Sequence, residues 1–141
     1  MRATEPNLVL LRLKTRLLAQ QRQARRCLKR LQLSQPASFH NLRVTLKWLR
    51  YGCEFLASLQ IGAIDRGRAR LTADRCRDLQ QELGAIQDDV VLLGFVEQSL
   101  QKHESVRAPI TRRQEAAMQR VLAMNTDLQA LLREAHHIVV V

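Results

Sequence analysis

His40, Arg43, Lys47 and Arg50 stand in the stretch FHNLRVTLKWLRYGCEFL, residues 39–56, at spacings of three, four and three. In a helix that spacing returns each side chain to one face, so the four form a positive row. With His40 as origin and about 100° per residue, Lys47, Glu54, Arg43 and Arg50 fall at roughly 340°, 320°, 300° and 280°. Leu42, Leu46, Leu49, Cys53 and Leu56 occupy roughly 160–240°, and Val44, Tyr51, Phe55 and Trp48 about 20–80°. The row therefore has an apolar wall on each side, and only Asn41, Thr45 and Gly52 are left for the remaining face. This pattern predicts a helix packed on two sides, with its charges in a groove between them. Like charges in a partly desolvated groove are unfavourable unless they are paired or bound. A row of bound anions resolves the conflict. So do carboxylates: Glu54 in the same row, or Asp88 and Asp89 from a neighbouring helix. Spacing alone leaves both open, and His40 by itself reads more readily as a hydrogen-bonded packing residue than as a catalyst.

The first helical segment adds a weaker parallel. With Leu10 as origin its core residues cluster at about 300–360°, and Lys14, Arg25, Lys29 and Arg22 lie at roughly 40–120°, along one edge. These four are expected to extend the positive row into the same groove. Arg12, Arg16, Arg26 and Arg30 point away, towards solvent. Other constellations are poorer. Glu54 lies fourteen residues from His40, about 21 Å along a helix, too far for direct acid–base partnership. His136 and His137 are adjacent, about 100° apart, and no Cys or carboxylate completes a metal site around them. Gly62 and Gly67 match no phosphate-loop or dinucleotide spacing. No nucleophilic triad is evident. The chain is expected to bind rather than catalyse, with no cofactor and no metal.

A length of 141 residues suits one domain with a real core, and 46% apolar residues argue against disorder. Lys and Arg number 23 against 13 Asp and Glu, a formal charge of +10, which calls for an anionic partner. The opening MRATEPNLVLLRLKTRLL is broken by Arg12, Lys14 and Arg16 and does not read as a secretory signal; no apolar run approaches a membrane span. Cys27, Cys53 and Cys76 are odd in number and widely spaced, which fits free, buried or half-buried thiols in a reducing cytoplasm.

The elements that must position the row follow from breakers and leucine spacing. Pro6, SQPAS (34–38), IGAIDRGRAR (61–70) and HESVRAPIT (103–111) divide four segments of helix formers. Leu10, Leu13, Leu17, Ala24, Leu28 and Leu31 mark the first; Cys76, Leu79, Leu83, Ile86, Val90 and Leu93 the third; Ala117, Val121, Met124, Leu128, Leu131 and Ala135 the fourth. Thr72 is expected to cap the third helix, and Thr111 with Gln114 to form a capping box for the fourth. Helices over roughly 6–33, 38–60, 72–102 and 111–136, joined by short connections, predict an all-α, antiparallel up-down four-helix bundle. The closing IVVV is too short to count as a strand.

These residues resemble a known family. FHNLRVTLKWLRYGCEFL resembles the signature helix of CHAD domains, the conserved histidine α-helical domains, and LQQELGAIQDDVVLL resembles the family's second motif, a Leu-Gly followed by an Asp. The motifs cover roughly residues 38–100, and helix order covers the whole chain. The resemblance implies an all-helical fold, in the family two similar four-helix bundles around a basic channel that binds inorganic polyphosphate, often on polyphosphate granules. By position it makes His40 the signature histidine and Arg43, Lys47 and Arg50 the cations that follow. Tyr51 and Glu54 continue the motif, and Asp88 is the second motif's acid. Three departures stand out. Trp48 occupies a place where the family usually has a further basic residue, and Gln87 one where a basic or amide residue often precedes the Asp. Most important, the motif pair occurs once, so residues 1–141 read as a single half-domain, with no triphosphatase domain attached.

The leading expectation is a non-enzymatic, cytoplasmic, polyphosphate-binding module acting as a two-fold homodimer in which equivalent faces meet. The alternatives are a nucleic-acid-binding basic protein and a structural or regulatory bundle that binds an acidic protein. With aromatics at 4% of the chain, a base-stacking platform is not expected.

Overall fold

Leucines three and four residues apart give each segment one apolar stripe, and burying four such stripes together dictates the architecture. The computed structural model describes residues 5–32, 35–99 and 104–140. Four helices, α1 (Glu5–Lys29), α2 (Pro36–Ser58), α3 (Arg66–Gln98) and α4 (Glu104–Arg133), are followed by a 3-10 turn at Ala135–His137. They form an antiparallel four-helix bundle: α2 packs against α1 and α3, α3 against α4, and α4 closes more lightly on α1. No helix among the described residues is long and apolar enough to cross a membrane.

The core is built largely from the spaced leucines. Leu10, Leu17, Ala24 and Leu28 of α1 meet Leu42, Leu46, Leu49 and Leu56 of α2, Leu79, Leu83 and Ile86 of α3, and Val121, Leu128 and Leu132 of α4. Leu13, Leu31 and Met124 are only half-buried at its margin. Cys53 and Cys76 are fully buried free thiols and Cys27 is half-buried. Burial, reinforced by Glu54, pushes the Cys53 thiol up to about 12; burial also raises Cys76. Both are protonated packing groups.

Two helix starts differ from expectation. α3 begins at Arg66, not near Thr72, because the Asp65 carboxylate caps it by accepting from the Arg68 backbone N–H at 3.1 Å. Thr72 is buried inside the helix, and its hydroxyl donates to the Arg68 carbonyl at 2.9 Å. α4 begins at Glu104, not Thr111, and carries Pro109 within it. The first four N–H groups of a helix lack intrahelical acceptors, so a proline at the sixth residue forfeits a single bond on an exposed turn. Thr111 and Gln114 consequently form no capping box; Gln114 is buried mid-helix. The first helix is shorter than expected, ending at Lys29, the second is shifted by two residues, ending at Ser58, and the fourth stops at Arg133. The expected ends at residues 33 and 102 lie outside the described residues.

The apolar tail also has more structure than its length promised. Ile138 and Val139 are buried, Val139 makes an antiparallel bridge with Ile64, and Asp65 N–H donates to the Ile138 carbonyl at 2.8 Å. The tail thus straps the α2–α3 connection.

Among the described residues three ion pairs join α3 to α4; in one, Arg107 Nη2 lies 3.4 Å from Glu97 Oε1. Arg120 Nε lies 3.0 Å from Glu82 Oε2, and Arg113 donates to both oxygens of Asp89, at 3.1 and 3.2 Å from Nε, with a further contact from Nη2. Those bonds push the Arg113 guanidinium above its ordinary value. The Asp89 side chain is 3% exposed and that of Glu82 28%. Removing Arg113 strands a buried carboxylate, whereas removing Arg120 leaves one within reach of water. Arg113→Ala should therefore lower the thermal unfolding midpoint by clearly more than Arg120→Ala, measured by circular dichroism. Equal shifts would show that Asp89 finds another partner.

Candidate anion-binding groove between α2 and α3

The orientation of α2 is fixed on three sides. Phe39, Leu42, Leu46, Leu49, Cys53 and Leu56 point into the core. Thr45 Oγ1 lies 3.5 Å from Cys27 Sγ of α1, and a Cβ on Gly52 would come within 3.1 Å of Gln20 Oε1. The small-residue face of Asn41, Thr45 and Gly52 is thus where α1 packs, and Gly52 permits the close approach. The Arg43–Arg50 edge turns towards α3, where Arg43 Nε lies 4.0 Å from the position a Cβ on Gly84 would occupy.

This corrects one expectation. The face carrying Val44, Trp48, Tyr51 and Phe55 is not packed; Trp48 and Phe55 are 57% and 53% exposed. The positive row has the core on one side only. On the other it is bordered by an open apolar and aromatic strip.

Between α2 and α3 lies a groove of about 660 Å³, open along its length. Arg43, Val44, Lys47, Trp48, Arg50 and Tyr51 line it from α2, and Arg77, Gln80 and Gln81 from α3. Glu54 Oε1 serves two of the four cations, 3.6 Å from Arg50 Nε and 2.9 Å from Arg77 Nη2. Arg77 also reaches Asp74, at 3.4 Å. Among the described residues no carboxylate comes within 4 Å of Arg43 or Lys47. Lys47 Nζ instead sits 5.6 Å from the Trp48 ring centre and 6.0 Å from that of Tyr51, and the Arg50 guanidinium 4.9 Å from Tyr51. Arg50 Nε and Gln80 Oε1 are both buried without a hydrogen-bond partner. The groove is thus under-neutralised, and the N–H groups of its cations are donors for an anion's oxygens, while the Gln80 carbonyl, an acceptor, is not.

Neither Asp88 nor Asp89 neutralises the row. Asp89 turns to α4 and Arg113, while Asp88, the residue matching the second motif's acid, is exposed and in no ion pair among the described residues. The buried structural acid is its neighbour. His40 is exposed without a hydrogen bond among the described residues, so it is not a packing residue, and it lies one turn before Arg43, outside the groove lining. Lys14, Arg22, Arg25 and Lys29 do not line the groove either. Gln20 and Cys27 define the side of α1 that meets α2, and the four cations project from about 120° or more around the helix. The cation that does approach α2 is Arg30, just past the end of α1 and expected to point away, in a separate cleft with Gln23, Cys27 and Asn41. Arg77, Gln80 and Gln81 were not foreseen. Their signal was present: with Gly84 they recur at 77, 80, 81 and 84, one edge of α3.

Glu54 is the groove's own counterion and competes with any incoming anion for Arg50 and Arg77. Glu54→Gln should tighten binding of inorganic polyphosphate by no more than about fivefold, the equivalent of an exposed pair worth about 1 kcal/mol. Titration calorimetry at fixed salt checks this; weaker binding would mean that Glu54 chiefly holds the arginines in place.

No curated protein and no solved structure matches the chain significantly. The family model of the CHAD domain matches residues 7–97. That span takes in most of α1, all of α2 and nearly all of α3, and with it both walls of the groove. The chain belongs to the CHAD-domain family.

Proposed function

We propose that the chain is a non-enzymatic module that binds inorganic polyphosphate in the α2–α3 groove. The observation that carries this reading is the pair Arg43 and Lys47, two cations in an open groove with no carboxylate beside them among the described residues. Arg50 and Arg77 stand next to them and are only partly satisfied by one shared Glu54 oxygen. A linear chain of phosphates supplies negative charge at every unit and fits a row of cations better than a compact anion does. Membership of a family associated with polyphosphate binding supports the same ligand. Binding of this kind draws on counterion release and weakens steeply with salt. The setting that goes with it is the cytoplasm, at polyphosphate granules.

The groove is open on one side, and a second copy offers what would close it. In a two-fold dimer with equivalent faces opposed, two positive rows would line one channel, as closed symmetry favours. The rows repel each other, so the polyanion itself should hold the copies together. Light scattering should show mass rising from one copy towards two when polyphosphate is added. A monomer with and without ligand overturns the dimer and leaves the single groove.

Charge swaps test the groove itself. Arg43→Glu with Lys47→Glu breaks no ion pair and should abolish polyphosphate binding at physiological salt with helicity intact. Arg12→Glu with Arg16→Glu, on exposed α1 positions that also lack ion pairs among the described residues, removes the same charge from the total of +10. It should weaken binding only modestly, because screening limits exposed charges to a range of about 8 Å. Arg113 is unsuitable as a control because it holds buried Asp89. Equal losses from the two swaps would mean a diffuse basic surface, and DNA bound as tightly as polyphosphate of matched charge would favour the nucleic-acid reading.

A further inference from the structure

An inorganic phosphate chain leaves part of this groove unused. The sequence has five aromatic rings besides histidine, and only Phe39 is in the core. Trp48, Tyr51 and Phe55 share the open strip of α2, and the first two belong to the groove wall. Trp48 and Tyr51 meet edge to face, their centres 6.2 Å apart and their planes at 88°. The indole is thereby braced on one side while it remains 57% exposed.

Resting on the polyphosphate reading above, we propose that the groove's preferred ligand is a nucleoside polyphosphate, its base stacked on Trp48 and its phosphate chain on the cations. A planar base offers an indole what phosphate cannot, a π-face, and such stacking is tolerant of base identity. The phosphate end is served by neighbours in sequence. Lys47 adjoins Trp48, and Arg43 and Arg50 lie about one helical turn to either side of Lys47, roughly 5–6 Å along the axis. Lys47 now rests near both rings. A base arriving on Trp48 takes over that ring face and frees the ammonium for the first phosphates. Across the groove Gln80 and Gln81 present amides, and the Gln80 carbonyl oxygen has no hydrogen-bond partner. An amide offers both a donor and an acceptor, the complement of a base edge. A single nucleotide fits this arrangement better than a nucleic-acid strand. The cations are spaced for consecutive phosphates beside one indole, not for bases alternating with single phosphates.

Trp48 is the sole tryptophan, so its fluorescence reports on the site directly. The test compares inorganic tripolyphosphate with adenosine triphosphate at matched salt, by fluorescence and by calorimetry. Adenosine triphosphate should quench Trp48 and bind about five- to hundredfold tighter than tripolyphosphate, the range expected of one stacked base. Trp48→Leu should bring the ratio of the two affinities close to one, whatever it does to tripolyphosphate alone, and Trp48→Phe should restore most of that ratio. Arg43→Gln with Lys47→Gln should weaken both ligands.

Equal affinity of the two ligands for the unaltered protein overturns the proposal and leaves the polyphosphate reading standing. So does a Trp48→Leu protein that loses both ligands alike, or one that changes assembly without changing their ratio, since either makes the ring a structural or dimer contact. Failure of both ligands to bind overturns the two readings together.

Discussion

Between Glu5 and Glu54 the chain has no carboxylate, and eleven lysines and arginines lie in that interval. Every cation of α1 and α2 must therefore be neutralised from a later part of the chain, from solvent or from a ligand. The fold does little of this internally. Glu54 reaches Arg50, and the acids of α3 are engaged elsewhere or face water, Asp89, Glu82 and Glu97 with α4 and Asp74 with Arg77. The bundle is thereby electrically polarised: its acids bind the α3–α4 hairpin together, and its α1–α2 half is left positive. Packing holds that half in place, and charge opposes it.

This division makes the leucine core carry the work of keeping α2 beside α3. Phe39, Leu42, Leu46 and Leu49 of α2 are almost fully buried in the common core, and each buried large apolar side chain contributes about 1.5–3 kcal/mol of transfer free energy. An exposed ion pair contributes about 1 kcal/mol at most. The groove can therefore keep free cations without endangering the fold, because the core beneath it does not depend on them. The Arg43 guanidinium rests against α3 there, its Nε 4.0 Å from where a Cβ on Gly84 would stand.

Much of this was legible from residue spacing. Leucine periodicity identified four helices and the inward face of α2, because burial in a bundle repeats with the helix itself. It placed Arg43, Lys47 and Arg50 on a single edge. Ends were less legible. Thr72 and Thr111 look like caps, but a cap is decided by competition among nearby residues, and Asp65 supplied a carboxylate about two turns earlier. Pro109 looks like a stop, yet near a helix start it removes little. A projection of one helix also cannot say which neighbour lies on which side. The cations of α1 and the open strip of α2 were misplaced for that reason, and a contact as small as Cys27 with Thr45 settles the matter. Arg77 belongs to the facing wall on α3, about which the spacing of α2 carries no information.

The strap formed by the tail has a consequence for the order in which the molecule can assemble. Ile138 and Val139 pack beneath the connection between α2 and α3, and Val140 N–H donates to the Ala63 carbonyl at 2.7 Å. That turn sets how the two groove walls are joined, yet it is fastened by residues made some seventy positions later. Chains emerge from the ribosome from their N-terminus at about 5–20 residues per second. During synthesis the α2–α3 hairpin must wait several seconds with its turn unfastened, its seam already able to form. The groove is drafted early and fastened late, when residues 138–140 arrive.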